Sequence, residues 1–271
     1  MPATAAETGY APVNGLEMYY EIHGDGRPLL LLHGAYGTAG MWGGFVPALA
    51  ETRRVIVPEL QGHGHTADVD RPIRYEPMAD DVAALIRHLG LERPDVFGYS
   101  MGGEVALQLA IRHPDLVGRL VVASASASTG SDAVYPEVLA GIAQITPEVF
   151  VGTPFFEEYQ RTAPDPGAFP TLVEKLKDLD AQEFAWPDED IRTITAPTMI
   201  VVGDSDIVRP EHAANLFRLR GGGVPGDLTG PPNARLAVLP GTTHVGVVME
   251  RAEWLAPMIR EFLDTPLAAV G

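Results

Sequence analysis

A serine stands between two glycines in Gly98-Tyr99-Ser100-Met101-Gly102, directly after a short apolar run. Asp95–Tyr99 has the apolar character of a buried strand, and Gly102–Ala110 carries the small and apolar residues of a helix. A strand that turns abruptly into a helix pushes the corner residue out of the backbone, at a cost in strain. Glycines two positions to either side leave room for backbone segments that would otherwise collide. The Ser100 hydroxyl would then lie beside a helix N-terminus, whose free N–H groups can stabilise a developing oxyanion. The plainer alternative is a glycine-rich joint with an incidental serine, and the strand–helix context favours the nucleophile.

A serine hydroxyl is a weak nucleophile until a base removes its proton, and that base is usually a histidine held by a carboxylate. Eight histidines compete for this role. His244, in Pro240-Gly241-Thr242-Thr243-His244-Val245, follows a strand ending at Leu239 and falls in a loop at the edge where the serine stands. His63 and His65 form a Gly-His-Gly-His turn with no third ligand at metal-binding spacing, so no metal is expected. His23, His88, His113 and His212 read as surface or helix-end residues. For the carboxylate, Gly203-Asp204-Ser205-Asp206 offers two candidates after another strand. Asp204 is placed to close a turn, while Asp206 lies further into the loop and can reach a neighbour. The strand Leu29–His33 runs into Gly34-Ala35-Tyr36-Gly37, a loop that can aim a backbone N–H at the serine. The amides of Ala35 and Met101 are therefore the expected oxyanion donors, with Tyr36 and Trp42 at the pocket entrance and Val245 beside the base.

Elements that could position these residues alternate along the chain. Strands are expected at Leu16–His23, Leu29–His33, Arg54–Pro58, Asp95–Tyr99, Leu120–Ser124, Thr198–Gly203 and Arg235–Leu239. The first alternates as an edge hairpin does. The others are continuous apolar runs, as in strands of a parallel sheet covered on both faces. Helical patterns fall between them, at Met41–Ala50, Pro77–Leu89, Gly103–His113, Pro210–Leu219 and Arg251–Leu263, with Pro257 expected to delay or kink the last. Alternation of this kind implies an α/β layer structure.

Residues 130–190 break the pattern: proline-punctuated helical pieces, no strand, and the aromatics Tyr135, Phe150, Phe155, Phe156, Tyr159, Phe169, Phe184 and Trp186. An insertion at the C-terminal edge of a parallel sheet overlies the place where such sheets bind ligands. It reads as a helical lid, with Phe150, Phe155, Phe156 and Tyr159 as candidate substrate contacts. The Gly/Pro-rich loop 221–233 lacks the lysine and the strand–helix setting of a phosphate loop and reads as a surface linker.

Composition narrows the partners. The 271 residues carry 19 basic and 36 acidic side chains, a net charge of −17, so neither nucleic acid nor an anionic membrane surface is an expected partner. With no cysteine, thiolate catalysis and disulfides are excluded. The opening Met1-Pro2-Ala3-Thr4-Ala5-Ala6-Glu7 has no basic stretch followed by an apolar one, which points to a cytoplasmic protein.

Together, His33-Gly34, Gly62-His63-Gly64, Gly98–Gly103, Gly203–Asp206 and Gly241–His244 follow the order of landmarks in the α/β-hydrolase fold superfamily, which the chain resembles from about Tyr19 to Leu263. The resemblance is to its serine carboxylesterase and haloperoxidase-like branch. It implies a mostly parallel eight-stranded sheet flanked by helices, a core at 1–129 and 191–271, and a lid at 130–190. It also implies the triad Ser100, His244 and Asp206. Glu59 and Gln61 depart from the Asp-x-Arg common after that strand. Ser100 argues against epoxide hydrolases and haloalkane dehalogenases, which place an aspartate there. The expected activity is hydrolysis of carboxylic esters with small to medium apolar groups, without a cofactor. Perhydrolysis, acyl transfer or C–C cleavage by the same triad, and a slow-turnover ligand receptor, are the alternatives.

Overall fold

The computed structural model describes residues 6–265. Met1–Ala5, most of the segment read for a leader, and residues 266–271, the end of the second core segment, lie outside it. The strands are β1 (Glu7–Val13), β2 (Leu16–His23), β3 (Arg27–Leu32), β4 (Arg53–Pro58), β5 (Asp95–Tyr99), β6 (Leu120–Ala123), β7 (Thr198–Ser205) and β8 (Ala234–Thr243). They form one sheet in the order β1-β2-β4-β3-β5-β6-β7-β8. The pairs β1/β2 and β2/β4 are antiparallel; every other pair is parallel. The hairpin expected around β2 closes through Asn14 and Gly15, both at positive φ (47° and 87°), the two-residue turn that matches strand twist. Its partner β1 escapes the sequence reading because Gly9 and Pro12 interrupt the strand signal. An edge position tolerates that proline.

Alternation along β3 shows how the sheet is covered. Leu29 and Leu31 join Phe45, Leu49, Leu255 and Ile259 on one face, while Leu30 and Leu32 join Val82, Ile86, Val105 and Leu109 on the other. All four leucines are fully buried, each stabilising the fold by roughly 1.5–3 kcal/mol. The first face is covered by α1 (Phe45–Ala50) and α11 (Ala252–Asp264), and the second by α2 (Tyr75–His88), α3 (Met101–Arg112) and α8 (Pro210–Leu219). α11 starts at Ala252, without the delay expected from Pro257, and includes that proline. That residue and Glu253, whose carbonyl loses its partner, both lie on the exposed side.

Between β6 and β7 come α4 (Pro136–Ala143), α5 (Pro154–Thr162), α6 (Phe169–Asp180) and α7 (Asp188–Thr193), with single 3₁₀ turns at Pro147–Phe150 and Pro166–Ala168. Proline occupies the first or second position of α4, α5, α6 and both turns, where its missing N–H costs nothing. Phe169 anchors the group, with the rings of Phe156, Tyr159 and Phe150 at 5.1, 5.1 and 5.5 Å. The loop 221–233 contains only the short, exposed α9 (Gly226–Thr229), and α10 (Gly246–Met249) follows β8.

The chain leaves β3 to one side for β4 and returns to its other side for β5. Such a reversal opens a crevice at the carboxyl ends of the two strands. The loops that leave β3 and β5 there carry Ala35 and Ser100.

Candidate active site

Ser100 sits at φ 51° and ψ −129°, between β5 and α3. A non-glycine residue with positive φ is strained, and here both flanks impose the strain. A side chain at Gly98 would put its Cβ 2.1 Å from the carbonyl oxygen of Gly102, and one at Gly102 would meet the Leu32 oxygen at the same distance. The corner is pinned to the next strand by Ser100 N–H donating to the Ala123 carbonyl at 2.9 Å.

Neighbouring loops complete a hydrogen-bonded chain. His244 Nε2 lies 3.0 Å from Ser100 Oγ, and its Nδ1 lies 2.7 Å from Asp206 Oδ1. Tyr99 holds the base from below, donating its hydroxyl to the His244 carbonyl at 3.1 Å. Asp206 also accepts from Ser124 Oγ at 2.6 Å, from Val208 N–H at 3.1 Å and from Gly203 N–H at 3.3 Å. Burial alone would raise its pKa, but the bond to His244, its charge, Ser124 and the Val208 amide outweigh burial and hold it below the ordinary value. Asp204 is exposed and caps the opposite turn, accepting from Gly241 and Thr242 N–H. The structure thus brings Asp206, not Asp204, to the imidazole. Ser124 went unnoticed in the sequence because one serine ending a strand gives no signal.

The loop after β3 touches the serine: a Cβ on Gly34 would lie 3.1 Å from that of Ser100. Two buried histidines shape it. His33 Nδ1–H donates to the Gly34 carbonyl at 2.8 Å while its Nε2 accepts from Leu60 N–H at 2.9 Å. His63 Nδ1–H donates to the Gln61 carbonyl, and its Nε2 accepts from Tyr36 N–H at 3.2 Å. Burial keeps both rings neutral, lowering their pKa values to about 3 and about 4. Glu59 replaces the usual aspartate, accepting from Ala39 N–H at 3.0 Å and His65 N–H at 2.5 Å, while Gln61 bridges Asp68 and Arg71. With Tyr36 N–H committed to His63, the Ala35 and Met101 amides have no protein acceptor among the described residues.

Ser100 and His244 open into a cavity of about 420 Å³, walled mainly by apolar side chains from the core and from the segment between β6 and β7. Of the expected contacts, Tyr36, Phe150, Phe155 and Val245 line it, as do Ala35 and Met101. Three do not. Trp42 is wholly buried against Phe45 and Phe97, and its neighbour Met41 faces the cavity instead. Phe156 and Tyr159 turn toward Phe169, forming the interior of the helical group rather than its cavity side. His212, read as a surface residue, is buried and accepts from Ala127 N–H at 3.0 Å. Phe184, one of the eight aromatics of residues 130–190, also lines the cavity, and Tyr75, Glu104 and Asp180 do so without having been singled out.

A family model described as alpha/beta hydrolase fold matches residues 27–187. The chain belongs to that family. A putative carbamate hydrolase from Azorhizobium caulinodans is 28% identical over 254 residues, covering 87% of this chain and 91% of the relative. A soluble epoxide hydrolase from a Corynebacterium species is 40% identical over 112 residues, 41% of this chain but only 39% of that enzyme. Among solved structures, a thermophilic esterase from Thermogutta terrifontis superposes with a TM-score of 0.68 at 25% identity, covering 96% of this chain and 98% of the esterase.

Two acids line the cavity of this α/β hydrolase. Glu104, in the first turn of α3, is 7% exposed and accepts from Ser126 N–H at 2.9 Å. Burial pushes its pKa up to about 8, and that of Asp180 to about 6. The sequence did hold a clue: Glu104 is the one charged residue between Met101 and Ile111, and a helix apolar on nearly all sides must bury any acid within it.

Proposed function

We propose that the protein is a serine hydrolase of carboxylic esters with small to medium apolar groups. The observation that carries this reading is the Ser100–His244–Asp206 chain, with links of 3.0 and 2.7 Å, opening into an apolar cavity. Ser100 Oγ attacks the ester carbonyl carbon as His244 Nε2 takes its proton. The oxyanion is held by the Ala35 and Met101 amides, which have no acceptor among the described residues. Collapse expels the alcohol, which takes the proton from His244 and leaves an acyl group on Ser100. Water, deprotonated by the same imidazole, then releases the acid. Asp206 fixes the tautomer and stabilises the imidazolium.

Residues 130–190 act as a lid in this reading, supported by Phe150, Phe155 and Phe184 at the cavity. The partial likeness to an epoxide hydrolase does not extend to a nucleophilic carboxylate, because the corner residue is a serine. The carbamate hydrolase relative makes carbamates the second acyl class to assay.

A fluorophosphonate probe followed by peptide mapping tests the nucleophile, and a nitrophenyl ester chain-length series tests the substrate class. Labelling confined to Ser100 with rapid multiple turnover is expected. Labelling elsewhere, or a single slow turnover, would refute the reading and favour a ligand receptor.

A further inference from the structure

Buried carboxyls in this fold keep basic company. Asp95 pairs with Arg53 at 2.6 Å and with Arg27 at 3.1 Å. Asp81 pairs with Arg71, Glu59 with His65, and Asp206 with His244. Glu104 is the exception among the buried acids; Asp180, half-buried, likewise has no basic partner among the described residues, and both face the cavity. Glu104 has one backbone donor, for one of its two oxygens, and the Asp180 carboxyl has no hydrogen-bond partner among the described residues. Among the described residues no lysine or arginine lines the cavity.

The surroundings of these acids point to what is missing. Asp180, at the end of α6, lies close enough to Glu104, Tyr75 and Tyr36 for its charge to act on all three. Tyr36 lines the same cavity, and its hydroxyl is fully buried with no partner among the described residues. The Tyr36 ring lies 4.4 Å from Phe150, and that of Tyr75 lies 5.3 Å from Phe184. Carboxyls set among aromatic faces and partly withdrawn from water attract an organic cation through both charge and ring quadrupole. An apolar substrate gains nothing from them, and an anionic one is repelled.

Resting on the ester-hydrolase reading, we propose that Glu104, Asp180, Tyr36 and Tyr75 form a subsite for a protonated amine, making cationic esters the preferred substrates. The rise of α3 places Glu104 about 6 Å along the helix from Ser100. An amine three or four bonds from the ester spans that distance. Burial, reinforced at Glu104 by the charges of Asp180 and Asp206, favours the protonated form of both carboxyls, and a bound ammonium ion restores their ionisation. The net charge of −17 gathers such cations toward the protein.

The test compares isosteres differing only in charge. One pair is 3-(dimethylamino)propyl butyrate and 4-methylpentyl butyrate; the other, with the amine in the acid, is butyl 4-(dimethylamino)butanoate and butyl 5-methylhexanoate. Each kcat/KM is divided by the ester's alkaline hydrolysis rate. At least one pair should favour the cation by about tenfold or more, a preference of roughly 1.4 kcal/mol. In Glu104→Gln and Asp180→Asn that ratio should fall toward one. Equal use of both members of both pairs by the wild-type protein overturns the proposal, as does a preference that survives both substitutions. Binding of butyltrimethylammonium, followed by calorimetry, is independent of turnover and of either variant's stability. Saturable binding to the wild-type protein supports the subsite, and its absence overturns it. No ester turnover and no Ser100 labelling, with ammonium binding intact, would instead refute the ester-hydrolase reading alone.

Discussion

Replacing Glu104 by glutamine should make the protein more resistant to alkali. In the unfolded chain this carboxyl ionises near its ordinary 4.5; folded, burial moves it to about 8. The folded state therefore holds a proton that the unfolded state has already released. Below pH 4.5 both states are protonated and the group has no effect on the balance. From there stability falls as pH rises, until the folded carboxyl also ionises near 8. Each tenfold in proton affinity is worth about 1.4 kcal/mol, so the loss is on the order of 5 kcal/mol. Glutamine has nearly the same shape, can still accept from Ser126 N–H, and carries no titratable proton. Other groups, including His33 and His63, titrate in both proteins and cancel in the comparison. Urea unfolding followed by tryptophan fluorescence should place the two proteins within about 1 kcal/mol of each other near pH 5. Near pH 9 the variant should be the more stable by several kcal/mol. Stability curves that run parallel across this range would refute the assignment of Glu104 as a buried, unpaired acid.

Further expectations follow from the chain of hydrogen bonds. Ser100→Ala and His244→Ala should each lower kcat by about 10⁴-fold or more in an ester assay, with the fold intact by circular dichroism. Asp206→Asn should approach a similar loss, of roughly 10⁴-fold, whereas Asp204→Asn should keep kcat within about threefold, because Asp204 bonds the Gly241–Thr242 turn and Ser205, not the imidazole. Equal losses in the two asparagine variants would refute the choice between them. Ser124→Ala removes a 2.6 Å bond to a buried carboxylate. A charged hydrogen bond of this kind contributes about 1.5–3 kcal/mol, so kcat should fall roughly 10- to 100-fold with little change in KM. Gly98→Ala drives a Cβ into the Gly102 backbone and should cost at least about 3 kcal/mol in a denaturation midpoint, if soluble protein is recovered at all.

What could be read from residues alone was what local backbone geometry demands. Gly98 and Gly102 are required by close approaches at a strained corner, so their spacing announces Ser100 before any fold is known. The continuous leucines of β3 announce a strand covered on both faces. His244 and the Asp204–Asp206 pair were narrowed by their place just past strand ends. Tertiary structure decided what depends on which way a helix is turned and which distant segment lies against it. Phe155 and Phe156 are adjacent in sequence, yet one lines the cavity and the other packs on Phe169. Met41 and Trp42 divide between cavity and core in the same way. Glu104 shares the cavity with a second acid only because α6, some seventy residues later, brings Asp180 to the same space. Short-range sterics are written in neighbouring residues; long-range packing is a property of the whole chain, and no local pattern records it.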